Sequence, residues 1–335
     1  MKRRDVLKLI LGGIGSLSTG SFLRAGEDDD SPLYAGWVDD ATIRDRFIQR
    51  HRRPFLSQYN SQIKDTGKGR KVFLWKAYEQ VTGWPLQPHK QTVGDCVGQA
   101  FGLGIDVLTA VRIASFNMPE RWVAKAATEI IYAGARIETG GMSRRKLTYD
   151  GTTGTLAAEF CRDWGVLLRQ SYLDGEYDFT TYSGAKARQM GRYGAGVPDA
   201  LEPLCKLHPL QTCTLVRSWE ECRDAVANGY PVVMCCNIGF WTKRDKDGFL
   251  RRRRKPWYHA QVILGVDDEY RRPGALVVNS WGENWVSGPT RHEQPAGSYW
   301  CDAATVDAAM KQGDSIALSG YVGYPQRDVP DYILW

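Results

Sequence analysis

The chain has 335 residues, a formal net charge of +6, 43% hydrophobic and 24% charged residues. That length holds about two domains, or one large fold of two lobes, and the balance of apolar and charged residues excludes wholesale disorder and a membrane-embedded body. The positive excess is small and scattered except at residues 251–255, four arginines and a lysine, so no nucleic-acid partner is expected.

Residues 1–26 read as an export signal. Lys2, Arg3 and Arg4 precede the Gly-interrupted apolar run around Leu9, Ile10, Leu11 and Ile14, a charged start followed by a stretch too short to cross a bilayer. Arg3 and Arg4, followed by Asp5, Val6, Leu7 and Lys8, resemble the twin-arginine export signal that bacterial receptors read. The resemblance implies a periplasmic or extracellular destination, with cleavage near Ala25 and Gly26 and no stable membrane insertion afterwards.

Residues 27–74 are an N-terminal arm or short propeptide. They are polar, with Ile43, Phe47 and Phe55 at loosely helical spacing, and end at the turn-like Thr66, Gly67, Lys68 and Gly69. A catalytic domain is expected over 75–335. Its first part, about 90–200, reads as a helical lobe, with helices predicted over 96–111, 120–135 and 156–164. The part over about 205–325 reads as a β-rich lobe. There Ser218 and Glu221 form a capping-box pattern before a helix, and strands are predicted over 231–238, 260–266, 275–279 and 315–321. Helices followed by strands imply an α+β protein with a cleft between the lobes.

Of the eight cysteines, at least one stays unpaired if Cys96 is reserved for chemistry. A chain this large owns a core without disulfides. Cys205, His208 and Cys213 lack a fourth ligand at any common spacing, so neither a metal nor a cofactor is expected.

A cysteine acts as a nucleophile only as thiolate, and a helix N-terminus or a neighbouring imidazolium favours that form. Cys96, after Gly94 and Asp95, opens a predicted helix. Downstream, His259 stands at the mouth of one predicted strand and Asn279 at the end of the next. The order Cys, His, Asn, the His259-Ala260 opening, the Asn279-Ser280-Trp281-Gly282 segment and the later Gly297-Ser298-Tyr299-Trp300 resemble the papain family of cysteine peptidases. The separations are 259 − 96 = 163 and 279 − 259 = 20 residues, the first somewhat beyond the family's guide of about 130–150, as an insertion would make it.

The resemblance implies a papain-like two-lobe fold, a peptide or protein substrate and a monomer. It gives Cys96 as nucleophile, His259 as its acid–base partner and Asn279 as the group that orients the imidazole. Trp281 then shields the His–Asn pair from water, and Gln91 with the Cys96 backbone N–H forms the oxyanion hole. Several positions depart from the pattern. Gln91 lies five residues before the nucleophile instead of six, Thr92 and Val93 replace the cysteine usual there, and Val97 stands where an aromatic follows the nucleophile. Gly151-Thr152-Thr153-Gly154 replaces a Cys-x-Gly-Gly segment, so the family's usual disulfides are not expected.

Three alternatives remain at this point. Gly94-Asp95-Cys96-Val97-Gly98 also resembles the Asp-Cys-Ser-Gly opening of cell-wall amidases, which lack an Asn-Ser-Trp-Gly segment. An acyl-enzyme could be resolved by an amine, giving a transacylase. A papain fold could also serve as a binding module with its cleft blocked by the N-terminal arm. Residues 251–255 read as a solvated hairpin tip near the cleft, and Asp95 as a helix cap.

Overall fold

The computed structural model describes residues 34–321 apart from 60–62, 64–65, 117–121 and 270–271; the expected export signal lies outside the described residues. The chain begins with an extended segment, 34–38, and enters α1 (Ala41–Arg50). Asp40 caps this helix by accepting the Ile43 N–H, and Ile43 and Phe47 bury its one apolar stripe. Among the described residues of the arm, the helical reading therefore holds for these ten residues and a single 3-10 turn, Leu56–Tyr59. Phe55 lies beyond the helix and pairs with Leu215 through an isolated bridge, because Pro54 carries the Leu215 hydrogen bond on its carbonyl and cannot continue a helical ladder.

β1 (Lys71–Phe73) and α2 (Leu74–Thr82) follow, the helix ending at Gly83 with φ +74°. α3 (Cys96–Phe116) is apolar on all sides. By length and composition it could cross a membrane, yet it is enclosed by protein over residues 96–114, packed between α2, α4 (Thr128–Arg136) and the sheet. The helix predicted over 120–135 begins later than expected. Ala126 is extended and bridges Leu168, its N–H bonded to the buried Asp106 carboxylate at 2.7 Å, and the Ala127 N–H is taken by the Leu167 carbonyl. Those tertiary bonds outcompete the local helical ones.

α5 (Gly154–Asp163) is capped by Thr153. The short ribbon β2 (Ser171–Tyr172) and β3 (Tyr177–Asp178), α6 (Gly184–Met190) and α7 (Glu202–Cys205) complete the helical part. Within it α4 is wholly buried, and its Glu129 is neutralised by Arg169 at 3.1 Å.

The remaining strands are β4 (Leu210–Leu215), β5 (Val232–Cys236), β6 (Gly239–Phe240), β7 (Arg252–Arg253), β8 (His259–Asp267), β9 (Gly274–Val278), β10 (Ser298–Asp302) and β11 (Ile316–Tyr321). α8 (Trp219–Ala227) and α9 (Ala303–Met310) pack on them. Ser218 caps α8 as its sequence pattern predicts, but Glu221 reaches back to the Arg217 N–H instead of closing on Ser218. The main sheet runs β10-β9-β8-β5-β11-β4, with β1 pairing β8 beyond the end of β5. All these pairs are antiparallel. β8, β5 and β9 are buried along their whole length, so they read as continuous apolar runs and were legible as strands. β6 and β7 form a separate ribbon, in which Arg252 and Arg253 of the basic run pair with Phe240 and Gly239.

Candidate active site

The site lies where the N-terminus of α3 meets the first residues of β8. Cys96 is the first residue of α3, and the Ala260 N–H, one residue into β8, points at its sulfur at 3.4 Å. β5 pairs Cys236 with His259, the first residue of β8, so His259 directly precedes the residue whose N–H meets the Cys96 sulfur. Asn279 directly follows β9, the other neighbour of β8, and its Oδ1 lies 2.7 Å from His259 Nε2. That bond fixes the ring and leaves Nδ1 as the free imidazole nitrogen, which has no hydrogen-bond partner. The Trp281 indole covers the pair, 4.6 Å from the imidazole at 34°. Trp257 and Trp285 buttress it at 4.9 and 5.2 Å.

Gln91 reaches the same place from the other side. Loop residues 89–91 pair with 280–282: the Gln91 N–H donates to the Ser280 carbonyl and the Gly282 N–H to the His89 carbonyl, both at 2.9 Å. The Gln91 amide is held through Oε1 by the Ser280 hydroxyl, and Nε2 donates to Val93 O at 2.8 Å and Tyr34 O at 3.0 Å. All five residues singled out in the sequence are thus brought together. Asp95 sits under the nucleophile, where its carbonyl accepts the Gln99 N–H as a cap residue's does. Its carboxylate turns away to Gln99 Nε2 at 2.8 Å and Tyr182 Oη at 3.0 Å, and burial raises its pKa to about 7.

The sequence raised a cleft blocked by the N-terminal arm but did not single out the residues that cover it. Residues 34–38 run across it as a strap. The Gly36 and Trp37 N–H groups donate to the Tyr258 carbonyl at 3.2 and 3.0 Å, while Thr152 takes and gives a further pair, Val38 N–H to Thr152 O and Thr152 N–H to Gly36 O. The approach is so close that a Cβ at 36 would collide with the Gly94 carbonyl, so only glycine fits. Tyr258 adopts φ +49°, a conformation costing a non-glycine residue about 1–3 kcal/mol, and its carbonyl receives both strap N–H groups. Asp150, also missed, steadies the loop before Cys96 by accepting the Gly94 N–H at 3.1 Å. The available signal was Tyr34 and Trp37 flanking Gly36, an aromatic pair around a glycine in an otherwise polar arm.

Burial under the strap sets the electrostatics. Cys96 is fully buried and His259 is 1% exposed. Burial pushes the Cys96 thiol up to about 12, against bonds from Ala260, Gly36 and Val97 that favour the thiolate and the Asp95 charge that opposes it. Burial likewise lowers His259 to about 4, although its bond to Asn279 acts the other way. In the strapped state both partners are neutral at pH 7.

Two solved structures share this fold. Xylellain, a cysteine protease from Xylella fastidiosa, superposes with a TM-score of 0.54 over 86% of this chain and 96% of its own, at 19% identity. The fold is papain-like. Procathepsin B S9 from Trypanosoma congolense superposes with a TM-score of 0.51 over 88% of this chain and 87% of its own, at 11% identity. No family model matches the sequence, and no curated protein is similar to it in sequence. All eight cysteines are free thiols in buried positions.

Proposed function

We propose that this chain is an exported cysteine peptidase of the papain kind, held latent by its own residues 34–38. The observation that carries the reading is the convergence of three elements on one point. α3 presents the Cys96 sulfur, β8 presents His259, and the residue after β9 locks the imidazole through the 2.7 Å bond to Asn279. The similarity to cysteine protease structures supports it.

With the strap displaced, water reaches both side chains and the burial that holds them neutral is relieved, so a thiolate–imidazolium pair can form at the helix N-terminus. The thiolate attacks the peptide carbonyl carbon, and the carbonyl π electrons move to oxygen. That oxyanion is placed to accept from Gln91 Nε2 and the Cys96 backbone N–H, where the Tyr34 carbonyl now takes the Gln91 donor. His259 gives its proton to the leaving amine as the C–N bond breaks. It then accepts a proton from the water that attacks the thioester, and cleavage of that bond returns the Cys96 sulfur. Asn279 holds the ring through both stages, and the Trp281 indole keeps water from the His259–Asn279 bond. Export by the twin-arginine route is part of this proposal and rests on Arg3, Arg4 and the apolar run after them.

Burial of Cys96 favours one second reading, a papain-fold binding module whose cleft stays filled. Hydrolysis of a mixed fluorogenic peptide library by the full chain, with Cys96→Ala in parallel, separates the two. Activity that disappears in the variant supports the peptidase. Equal activity in both removes Cys96 from the mechanism, and silence in both, even with Trp37→Ala to loosen the strap, favours the binding module.

A further inference from the structure

Trp37 is anchored at several points. Its backbone is bound to Tyr258 and bridged to Thr152, its ring lies over Tyr258 at 6.1 Å, and its indole Nε1 donates to Asp314 Oδ2 at 2.7 Å. Trp37 is 3% exposed and Asp314 is fully buried. The strap therefore places one large side chain into a pocket of the site, with a carboxylate at its floor.

That carboxylate is built in. Asp314 lies two residues before β11 and faces the start of α5, where the Gly154 N–H reaches Oδ2 at 2.6 Å and the Thr155 N–H reaches Oδ1 at 2.9 Å. Burial raises the pKa of Asp314, and these backbone donors at a helix N-terminus, with the Thr155 side chain and the Trp37 indole, work against that by favouring the charged form. The backbone donors belong to the fixed frame and stay in place whatever occupies the cleft. The indole N–H is the one donor to Asp314 that belongs to the strap. An incoming aliphatic side chain would leave part of Asp314 facing apolar atoms, whereas one ending in N–H would restore the lost bond. A site built around such a bond rejects analogues that lack it far more strongly than a purely apolar pocket discriminates by size.

We propose that Asp314 is a specificity-determining residue, and that the pocket occupied by Trp37 selects peptide side chains with a long apolar body and an N–H tip: arginine, lysine and tryptophan over leucine and phenylalanine. The consequence for turnover rests on the cysteine-peptidase reading. The pocket chemistry does not.

The test uses the full chain carrying Trp37→Ala, and the two claims are read separately. Thermal unfolding is followed against added indole and 1-methylindole, which differ in the N–H alone. Indole is expected to bind at least about tenfold more tightly, the discrimination that one hydrogen bond to a charged group provides; equal binding, or no saturable shift from either, overturns the pocket assignment. In parallel, fluorogenic peptides that differ only in the residues near the scissile bond are compared by kcat/KM. Arginine or tryptophan at the selected position should exceed leucine by about tenfold, and Asp314→Asn should reduce the arginine preference. Cleavage that favours leucine overturns the assignment and leaves the peptidase reading standing. If no peptide is cleaved by any form, the peptidase reading fails and the indole comparison decides the pocket.

Discussion

The two sides of the cleft differ in how finished they are. On the sheet side, His259 and Asn279 are joined at 2.7 Å, roofed by Trp281 and set by the register of three buried strands. On the helix side, the strap occupies the groups that would meet a substrate: Gln91 Nε2 is spent on Tyr34 O, and Cys96 lies sealed as a thiol. The sheet side is organised by the core and needs nothing further. The helix side exchanges one set of partners for another, so regulation by the chain's own residues belongs there.

The largest expected effect comes from removing the sulfur. Cys96→Ala should lower peptide hydrolysis by about 10⁴-fold or more, with the unfolding midpoint little changed, as measured by progress curves and calorimetry on the same sample. Next, Gln91→Ala should lower kcat by about 10²–10³-fold. Because the same amide holds Tyr34, this variant should also label faster at Cys96 while turning over more slowly. A parallel fall in labelling and turnover would mean that Gln91 serves the loop and not the strap.

Trp37→Ala acts on the strap alone. Loss of the charge-assisted bond costs about 1.5–3 kcal/mol of strap binding, so Cys96 alkylation by iodoacetamide should accelerate by about 10–10²-fold. Unchanged kinetics would show that α1 and the backbone bonds to Tyr258 and Thr152 are sufficient.

The smallest effect is one of pH. His259 sits near 4 when sealed, against 6.5 in water, so the open form binds the extra proton first. As pH falls from 6.5 toward 4, opening gains by up to about two orders of magnitude. Cys96 works from the other end: its sealed value of about 12, against 9.0, favours the open thiolate as pH rises above 9. Asp95, ionising near 7 beside it, adds repulsion that strengthens the seal on the thiol. Latency should therefore be greatest between about pH 6.5 and 9, read as the rate at which a jump in pH exposes Cys96 to a thiol reagent. A flat profile would mean that the strap opens without exposing His259.

Much of this was legible in the sequence, and for physical reasons. β5, β8 and β9 are buried on both faces, so they appear as uninterrupted apolar runs, and His259 and Asn279 stand at their ends where polar residues begin. Cys96 opens a mostly apolar helix, which marks it as the helix that the rest of the fold surrounds. The start of α4 was misplaced because Asp106, twenty residues earlier in the chain, holds Ala126 extended, a contact that no local pattern reveals. β10 was not predicted as a strand: Ser298, Tyr299, Trp300 and Cys301 lack alternation because all four are buried, Trp300 against Phe73 and Phe249 and Tyr299 against Trp285. The strap and Asp314 were invisible for a related reason. Trp37 and Asp314 meet across 277 residues, and each alone looks like an ordinary surface aromatic or a turn acid.

The central claim, that Cys96 and His259 form a working pair sealed by residues 34–38, is tested most directly by labelling the full chain with a peptide electrophile that reacts with cysteine thiolates, read by intact mass and peptide mapping. The account predicts slow modification of the wild type at Cys96 alone, about 10–10²-fold faster in Trp37→Ala, and no modification when His259→Ala is added to that variant. Labelling of Trp37→Ala that is indifferent to His259, or spread over the other buried cysteines, would contradict it.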